Sequence, residues 1–180
     1  MLTVDWTTRN LDADPLHLRP IRDEDLEFIL GLYQDWRVAQ HLNRIPVPFT
    51  HQEARELLDT ALREAADSVT ATFVAHRDYE PVGLCLLHHG QDDPAARIGV
   101  IGYSVMPRHW GQGCATRMVQ ALVNHAINSG FLSLQASLHV GNVASRRVLE
   151  KNGFLLSECG FMEELLHSPP REHAKYALQL

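Results

Sequence analysis

A short apolar run, two glycines one residue apart and a long amphipathic segment follow one another between Ile98 and Gly130. Ile98 to Val105 is apolar and β-branched, the composition of a buried strand. Pro107 has no N–H to give to a ladder and ends the strand. Beyond Gly111 and Gly113, residues Ala115, Met118, Val119, Leu122, Val123, Ala126 and Ile127 recur at the spacing of one helix face. Asn128-Ser129-Gly130 supplies a C-terminal stop. Strand, glycine turn and helix N-terminus in this order make an anion site. Glycine lets the backbone approach a ligand and take positive φ. The first helical N–H groups lack intrahelical partners, and the helix dipole favours negative charge there. A phosphate or pyrophosphate is the natural guest, and a side chain at either glycine would meet it. A plain strand–turn–helix corner accounts for the glycines equally well.

Known phosphate loops differ in their neighbours. A P-loop ends in Gly-Lys-Ser/Thr, whereas Cys114 follows Gly113 here. A dinucleotide fingerprint needs Gly or Ala where Thr116 stands, and an acid at a later strand end; the strand-like segment Leu132 to Val140 contains no carboxylate. A nucleotide-binding oxidoreductase is therefore disfavoured.

A second pattern follows that segment: Asn142-Val143-Ala144-Ser145-Arg146-Arg147-Val148-Leu149-Glu150-Lys151-Asn152-Gly153-Phe154. Asn142 can cap a helix, Val148 and Leu149 supply its apolar contacts, and Gly153 can end it. A short capped helix alone would explain these residues.

The first stretch, Arg108-His109-Trp110-Gly111-Gln112-Gly113, resembles Arg/Gln-x-x-Gly-x-Gly/Ala, the pyrophosphate loop of the GNAT superfamily of acetyltransferases. The wider run from Pro107 to Thr116 resembles the branch that contains the ribosomal-protein N-terminal acetyltransferases. The second stretch resembles the second acetyl-CoA motif of the same superfamily. Both occur in the expected order, each after a strand. The resemblance is specific over Ile98 to Phe154 and extends as a pattern from Leu16 to the C-terminus.

The resemblance implies acetyl-CoA as co-substrate, no metal, and transfer of an acetyl group to a primary amine, on a small molecule or a protein N-terminus, by direct attack in a ternary complex. It implies cofactor contacts from Ser104, Val105, Arg108, His109, Trp110, Gly111, Gln112, Gly113, Cys114, Ala115, Thr116, Asn142, Ser145 and Arg147. Pyrophosphate would rest on backbone N–H groups from His109 to Ala115, with phosphate partners among Arg108, Arg146, Arg147 and Lys151. The pantetheine arm would pair with the strand edge at Ser104 and Val105, in a slot opened where this strand splays from Leu132 to Val140. An N–H near Val105 would polarise the thioester carbonyl. Ser145 would protonate the leaving thiolate, and Glu164, ten residues past Phe154, would take the amine proton. Glu163 competes for that role, because adjacent residues on a strand face opposite ways. Two residues depart from the branch. Val100 stands where a Glu often precedes Ile-Gly-Tyr, which removes the usual base, and Arg117 stands where a Glu often follows Ala-Thr. A CoA-binding module without turnover is the alternative that Val100 keeps alive. An α-amine, with a pKa of about 7.7 to 8.0 against about 10.4 for lysine, would need less help from a base.

Composition narrows the partners. A net charge of −6 without any Lys/Arg block argues against nucleic acid and anionic membrane as main partners. Three widely spaced cysteines, Cys85, Cys114 and Cys159, suggest reduced cytoplasmic thiols. Cys85 sits in an apolar run and reads as core. Eleven scattered histidines lack metal-ligand spacing, and His88 and His89 would face opposite sides of a strand. The first residues carry no apolar signal region. A homodimer stays open.

The remaining elements fit one domain over residues 1–180, with 1–14 as an extended N-terminal segment. Leu16 to Pro20 alternates as a first strand. Asp23 can cap a helix with Leu26, Ile29, Leu30 and Tyr33 on one face. Residues 35–49 read as irregular or a short helix. Thr50-His51-Gln52-Glu53 is a capping box, opening a helix with a stripe of Ala54, Leu57, Leu58, Ala61, Leu62 and Ala65. In the resembled fold, the helix and loop before the second strand border the acceptor groove. Thr70 to His76 and Val82 to His88 are strands joined by a turn over Arg77 to Pro81. Gln91 to Pro94 is another turn. Phe154 to Leu165, interrupted near Gly160, and Lys175 to Leu180 are the last strands, with a loop at Ser168-Pro169-Pro170. Strands and helices mixed in this order imply a three-layer α/β arrangement. Under the resemblance, its central sheet is mostly antiparallel with helices on both faces.

Overall fold

In the computed structural model, the described residues are 7, 9–90, 96–162 and 171–180. Strands β1 (Leu11–Ala13), β2 (Leu16–Pro20), β3 (Thr70–Arg77), β4 (Glu80–His89), β5 (Ile98–Val105), β6 (Ser133–His139), β7 (Leu155–Met162) and β8 (Arg171–Gln179) form one sheet in the order β1-β2-β3-β4-β5-β6-β8-β7. Every neighbouring pair is antiparallel except β5 and β6. A parallel pair needs a crossover, and α4 (Cys114–Asn128) provides it. The other helices are α1 (Leu26–Gln34), α2 (Trp36–Ala39), α3 (His51–Ala66) and α5 (Val143–Lys151).

The sheet separates two apolar clusters, as three layers require. Phe73, Ala75 and Leu87 pack on one face with Met118, Leu122 and Ala126 of α4 and Leu149 of α5. Val74 and Leu84 pack on the other face with Ile29, Leu32 and Tyr33 of α1 and Ala54 and Leu58 of α3. Residues 70–75 of β3 are buried without a break, because both faces of this strand are covered. The expected architecture is therefore present: a mostly antiparallel sheet with helices on both faces.

Several elements begin where their chemistry dictates. The Thr50 hydroxyl accepts from Glu53 N at 3.3 Å, and Glu53 Oε2 accepts from Thr50 N at 2.5 Å, so the capping box forms at α3. Asp23 does not cap α1. A 3-10 turn over Asp23–Asp25 precedes the helix, and Asp25 is the residue turned inward. Its carboxylate accepts from Arg19 Nη1 at 2.8 Å, from Arg19 Nη2 at 2.7 Å and from Arg22 N at 2.7 Å. That bidentate pair ties β2 to α1, a partnership between Arg19 and Asp25 that local spacing could not reveal.

Other differences have equally local reasons. On α1, Leu32 is buried while Leu26 and Leu30 are only half-buried. On α4, Ile127 is exposed and His125 is buried edge-on to Phe73. The β3–β4 turn tightens to Asp78-Tyr79, both left-handed at φ 47° and 68°, the two-residue geometry that matches strand twist. β1 was not anticipated, since three residues carry no periodicity. β6 is one residue shorter at each end, and β8 starts earlier, at Arg171. β7 runs through Gly160, which pairs with His173, and its irregularity lies between Leu156 and Glu158. The turn over 91–94, the loop over 168–170, Glu163 and Glu164 lie outside the described residues. No helix among the described residues is long and apolar enough to cross a membrane.

Candidate active site: the slot between β5 and β6

β5 pairs with β4 from Gly99 to Val105, but with β6 only from Ile98 to Val100. β6 then turns away, staying paired with β8 as far as His139 and His173. The edge of β5 beyond Val100 is thus left facing a gap. Backbone groups alternate along a strand. Met106 N donates to Val82 O on β4 at 2.9 Å, so Ser104 and Gly102 also face β4. Ile101, Tyr103 and Val105 therefore direct their N–H and C=O groups into the gap. Val105 O accepts from Trp110 Nε1 at 2.7 Å, consistent with that direction.

The gap widens into a cleft of about 460 Å³. Val38, His41 and Leu42 are among its lining residues. Gly111, Gly113, Cys114, Ala115 and Thr116 line it as well. Gly111 and Gly113 have φ of +73° and +78°, and a Cβ built on either meets nothing within 4 Å. The glycines are required first by backbone conformation, and the space beside them is open to a ligand. Gly113 is the N-cap of α4, and the first-turn residues Cys114, Ala115 and Thr116, whose N–H groups lack intrahelical partners, line the cleft.

The anticipated site residues divide into two groups. Ser104, Val105, His109, Trp110, Gly111, Gly113, Cys114, Ala115, Thr116, Asn142, Ser145 and Arg147 line the cleft, and Lys151 joins them. Ser104 sits there with its backbone turned to β4; Val105 holds the open edge. Arg108 and Gln112 turn away. Arg108 Nη2 lies 2.6 Å from Glu80 Oε1, and Gln112 Oε1 accepts from Arg77 Nη1 at 2.5 Å. Arg146 pairs with Glu150 on its own helix at 3.9 Å. The cations left facing the cleft are Arg147 and Lys151.

α5 forms the far wall. Asn142 Oδ1 accepts from Ser145 N at 3.0 Å, capping the helix as its sequence suggested. Asn152 Nδ2 donates to Val148 O at 2.9 Å and to Thr116 O at 3.3 Å, which ties the end of α5 to the first turn of α4. The two motifs thereby become two walls of one cleft.

Tyr103 is a site residue that sequence reasoning missed. Its hydroxyl crosses from β5 to α5, lies 2.7 Å from Ser145 Oγ, and donates to Ser145 O at 3.2 Å. Burial pushes the phenol up to about 12, against a smaller opposing effect of the Ser145 hydrogen bond. It therefore stays protonated at neutral pH. The Ile101-Gly102-Tyr103 triplet is its one local signal, and only the fold brings α5 within reach of it. Burial also raises Tyr33 to about 12, and Cys85 is fully buried with its thiol pushed up by burial, a core residue as expected.

The Acetyltransferase (GNAT) domain model matches residues 15–155. The chain belongs to the GNAT acetyltransferase family. It is 26% identical over 147 residues to the uncharacterized N-acetyltransferase YoaA of Bacillus subtilis, covering 80% of this chain and 81% of that one. It is 30% identical over 96 residues to the ribosomal-protein-serine acetyltransferase of Escherichia coli, covering 53% and 52% of the two chains. The structure of RimL, a ribosomal L7/L12 α-N-protein acetyltransferase in complex with coenzyme A, superposes with a TM-score of 0.85, covering 96% of this chain and 98% of that one. At 20% identity, that last likeness is one of fold. In this GNAT chain, the glycine loop follows the strand that parts from its parallel neighbour.

Proposed function

We propose that this protein transfers the acetyl group of acetyl-CoA to a primary amine by direct attack in a ternary complex, with residues 1–180 acting as one acetyltransferase domain. The parting of β5 from β6 after Val100 carries the reading, because it leaves a hydrogen-bonding edge that runs into a two-glycine anion loop. Pyrophosphate rests on the N–H groups between His109 and Ala115. Arg147 and Lys151 add positive charge from the facing wall. The pantetheine arm pairs with Tyr103 and Val105 as an extra strand. That places the thioester in the slot, with a Val105 N–H available to its carbonyl oxygen. The complex of RimL with coenzyme A supports the choice of ligand.

The amine enters past Val38, His41 and Leu42, the cleft-lining residues of the segment before α3. Its nitrogen attacks the thioester carbon, and the tetrahedral intermediate expels the thiolate. Ser145 Oγ gives that sulfur a proton and regains one from solvent, while the Tyr103 hydroxyl, which stays protonated, holds the serine in place by its hydrogen bond. Glu164 is the proposed acceptor of the amine proton, since Val100 cannot serve. The likeness to RimL, an α-N-protein acetyltransferase, favours a protein N-terminus as acceptor, whose α-amine asks least of a base.

Calorimetry with acetyl-CoA, followed by mass spectrometry of transfer to N-terminal peptides, small-molecule amines, polyamines and amino-modified antibiotics, tests the proposal. Binding with acetylation of one class is expected. Binding without transfer to any class would leave a CoA-binding module instead.

A further inference from the structure

We propose that Arg77 and Glu80, on the β3–β4 hairpin, are positioning residues for the glycine loop, and that Arg108 acts through Glu80 instead of touching phosphate. The inference rests on the acetyl-CoA reading above, and its two positioning residues, Arg77 and Glu80, lie outside both motifs. Four contacts join hairpin and loop. Arg77 Nη1 donates to Gln112 Oε1 at 2.5 Å, and Arg77 Nη2 donates to Cys114 Sγ at 3.2 Å. Glu80 Oε1 lies 2.6 Å from Arg108 Nη2 and 3.7 Å from His109 Nε2. The loop closes on itself as well, since Gln112 Nε2 donates to Arg108 O at 2.9 Å.

The loop needs such ties. Trp110, Gly111, Gln112 and Gly113 are all exposed, and both glycines hold left-handed φ with no atom packed beside them. Glycine has the largest backbone entropy to lose, and no core contact at those two positions opposes that loss. Without the hairpin, the N–H groups would have to be ordered by the ligand itself, and binding would weaken accordingly. The tight Asp78-Tyr79 turn sets Arg77 and Glu80 three residues apart, so one grips each end of the loop: Arg77 at Gln112 and Cys114, Glu80 at Arg108 and His109. This arrangement also explains why Arg108 and Gln112 face away from the cleft although the motif places them in it.

The two roles of Arg108 predict opposite signs for one substitution. If Arg108 were a phosphate ligand held back by Glu80, Glu80→Gln would release it and tighten CoA. If Glu80 positions the loop, Glu80→Gln weakens CoA. The test is calorimetric titration of CoA into wild type, Glu80→Gln, Arg108→Gln, the double variant and Arg77→Met, with melting temperatures measured without ligand. We expect Glu80→Gln and Arg108→Gln each to weaken CoA by roughly two- to fivefold, the range of an exposed ion pair. The double variant should be no weaker than either single one. Arg77→Met should cost roughly tenfold, as loss of charged hydrogen bonds does. Melting temperatures should stay within about 2 °C of wild type. Tighter binding by Glu80→Gln, or additive losses in the double variant, would overturn the positioning role. A wild-type protein that binds no CoA would instead refute the proposed function.

Discussion

The Tyr103 hydroxyl lies 2.7 Å from Ser145 Oγ, although 42 residues separate the two in the chain. One is on β5 and the other in the first turn of α5, so their contact bridges the slot at the level where the strands have already parted. Ser145→Ala should lower kcat on the order of a hundredfold, and Tyr103→Phe on the order of tenfold. With Tyr103 raised to about 12, it does not titrate in the working range, so Tyr103→Phe should lower the rate without moving either limb of the pH profile. A basic limb near pH 10 in wild type that disappears in Tyr103→Phe would contradict this assignment.

The same buried phenols make stability fall at high pH. Tyr33 and Tyr103 both titrate near 12 in the folded chain, against 10.0 for an unburied phenol. Between those values the unfolded chain has lost protons that the folded chain still holds, so unfolding becomes easier as pH rises through this window. The effect should approach about 2–3 kcal/mol for each fully expressed shift. Denaturant midpoints measured from about pH 9 to 11.5 should fall in wild type and fall less in Tyr33→Phe. Equal slopes in the two proteins would show that Tyr33 is not the source.

Gly113 and Gly111 separate conformation from ligand approach. Alanine at either position should lower stability by about 1–2 kcal/mol, because the left-handed φ is retained by the loop. Asparagine tolerates that region better, so Gly113→Asn should regain much of the stability. Its side chain would still occupy the open space beside the loop, and CoA affinity should remain at least about tenfold reduced. Full recovery of affinity in Gly113→Asn would mean that only the backbone angle matters there.

Glu163→Gln and Glu164→Gln address the base. With an active acceptor, Glu164→Gln should reduce kcat/KM on the order of a hundredfold and remove the acidic limb, while Glu163→Gln stays near wild type. Near-wild-type rates in Glu164→Gln would mean that solvent deprotonates the amine.

Much of this molecule was legible in its residues. β5 was read to the residue from its β-branched run, and α4 and α5 from their apolar spacing and caps. What escaped depends on partners distant in the chain. The partner of Arg108, Glu80, lies on the β3–β4 hairpin, out of reach of any local spacing. Asp23 looked like a cap because nothing local marks Asp25 as the partner of Arg19. Tyr103 looked like a strand aromatic because only folding brings α5 to it. His125 took a core position on α4 that spacing had given to Ile127, since Phe73 offers an edge-on ring there.

Acetyl transfer itself is the most direct test of the account. The protein would be incubated with acetyl-CoA and a mixture of N-terminal peptides and small primary amines, with free thiol and acetylated products quantified together. We expect one amine class to gain acetyl groups in step with thiol release, and Ser145→Ala to slow both equally. CoA binding in the slot with no thiol release above that of acetyl-CoA in buffer, for any amine, would contradict it.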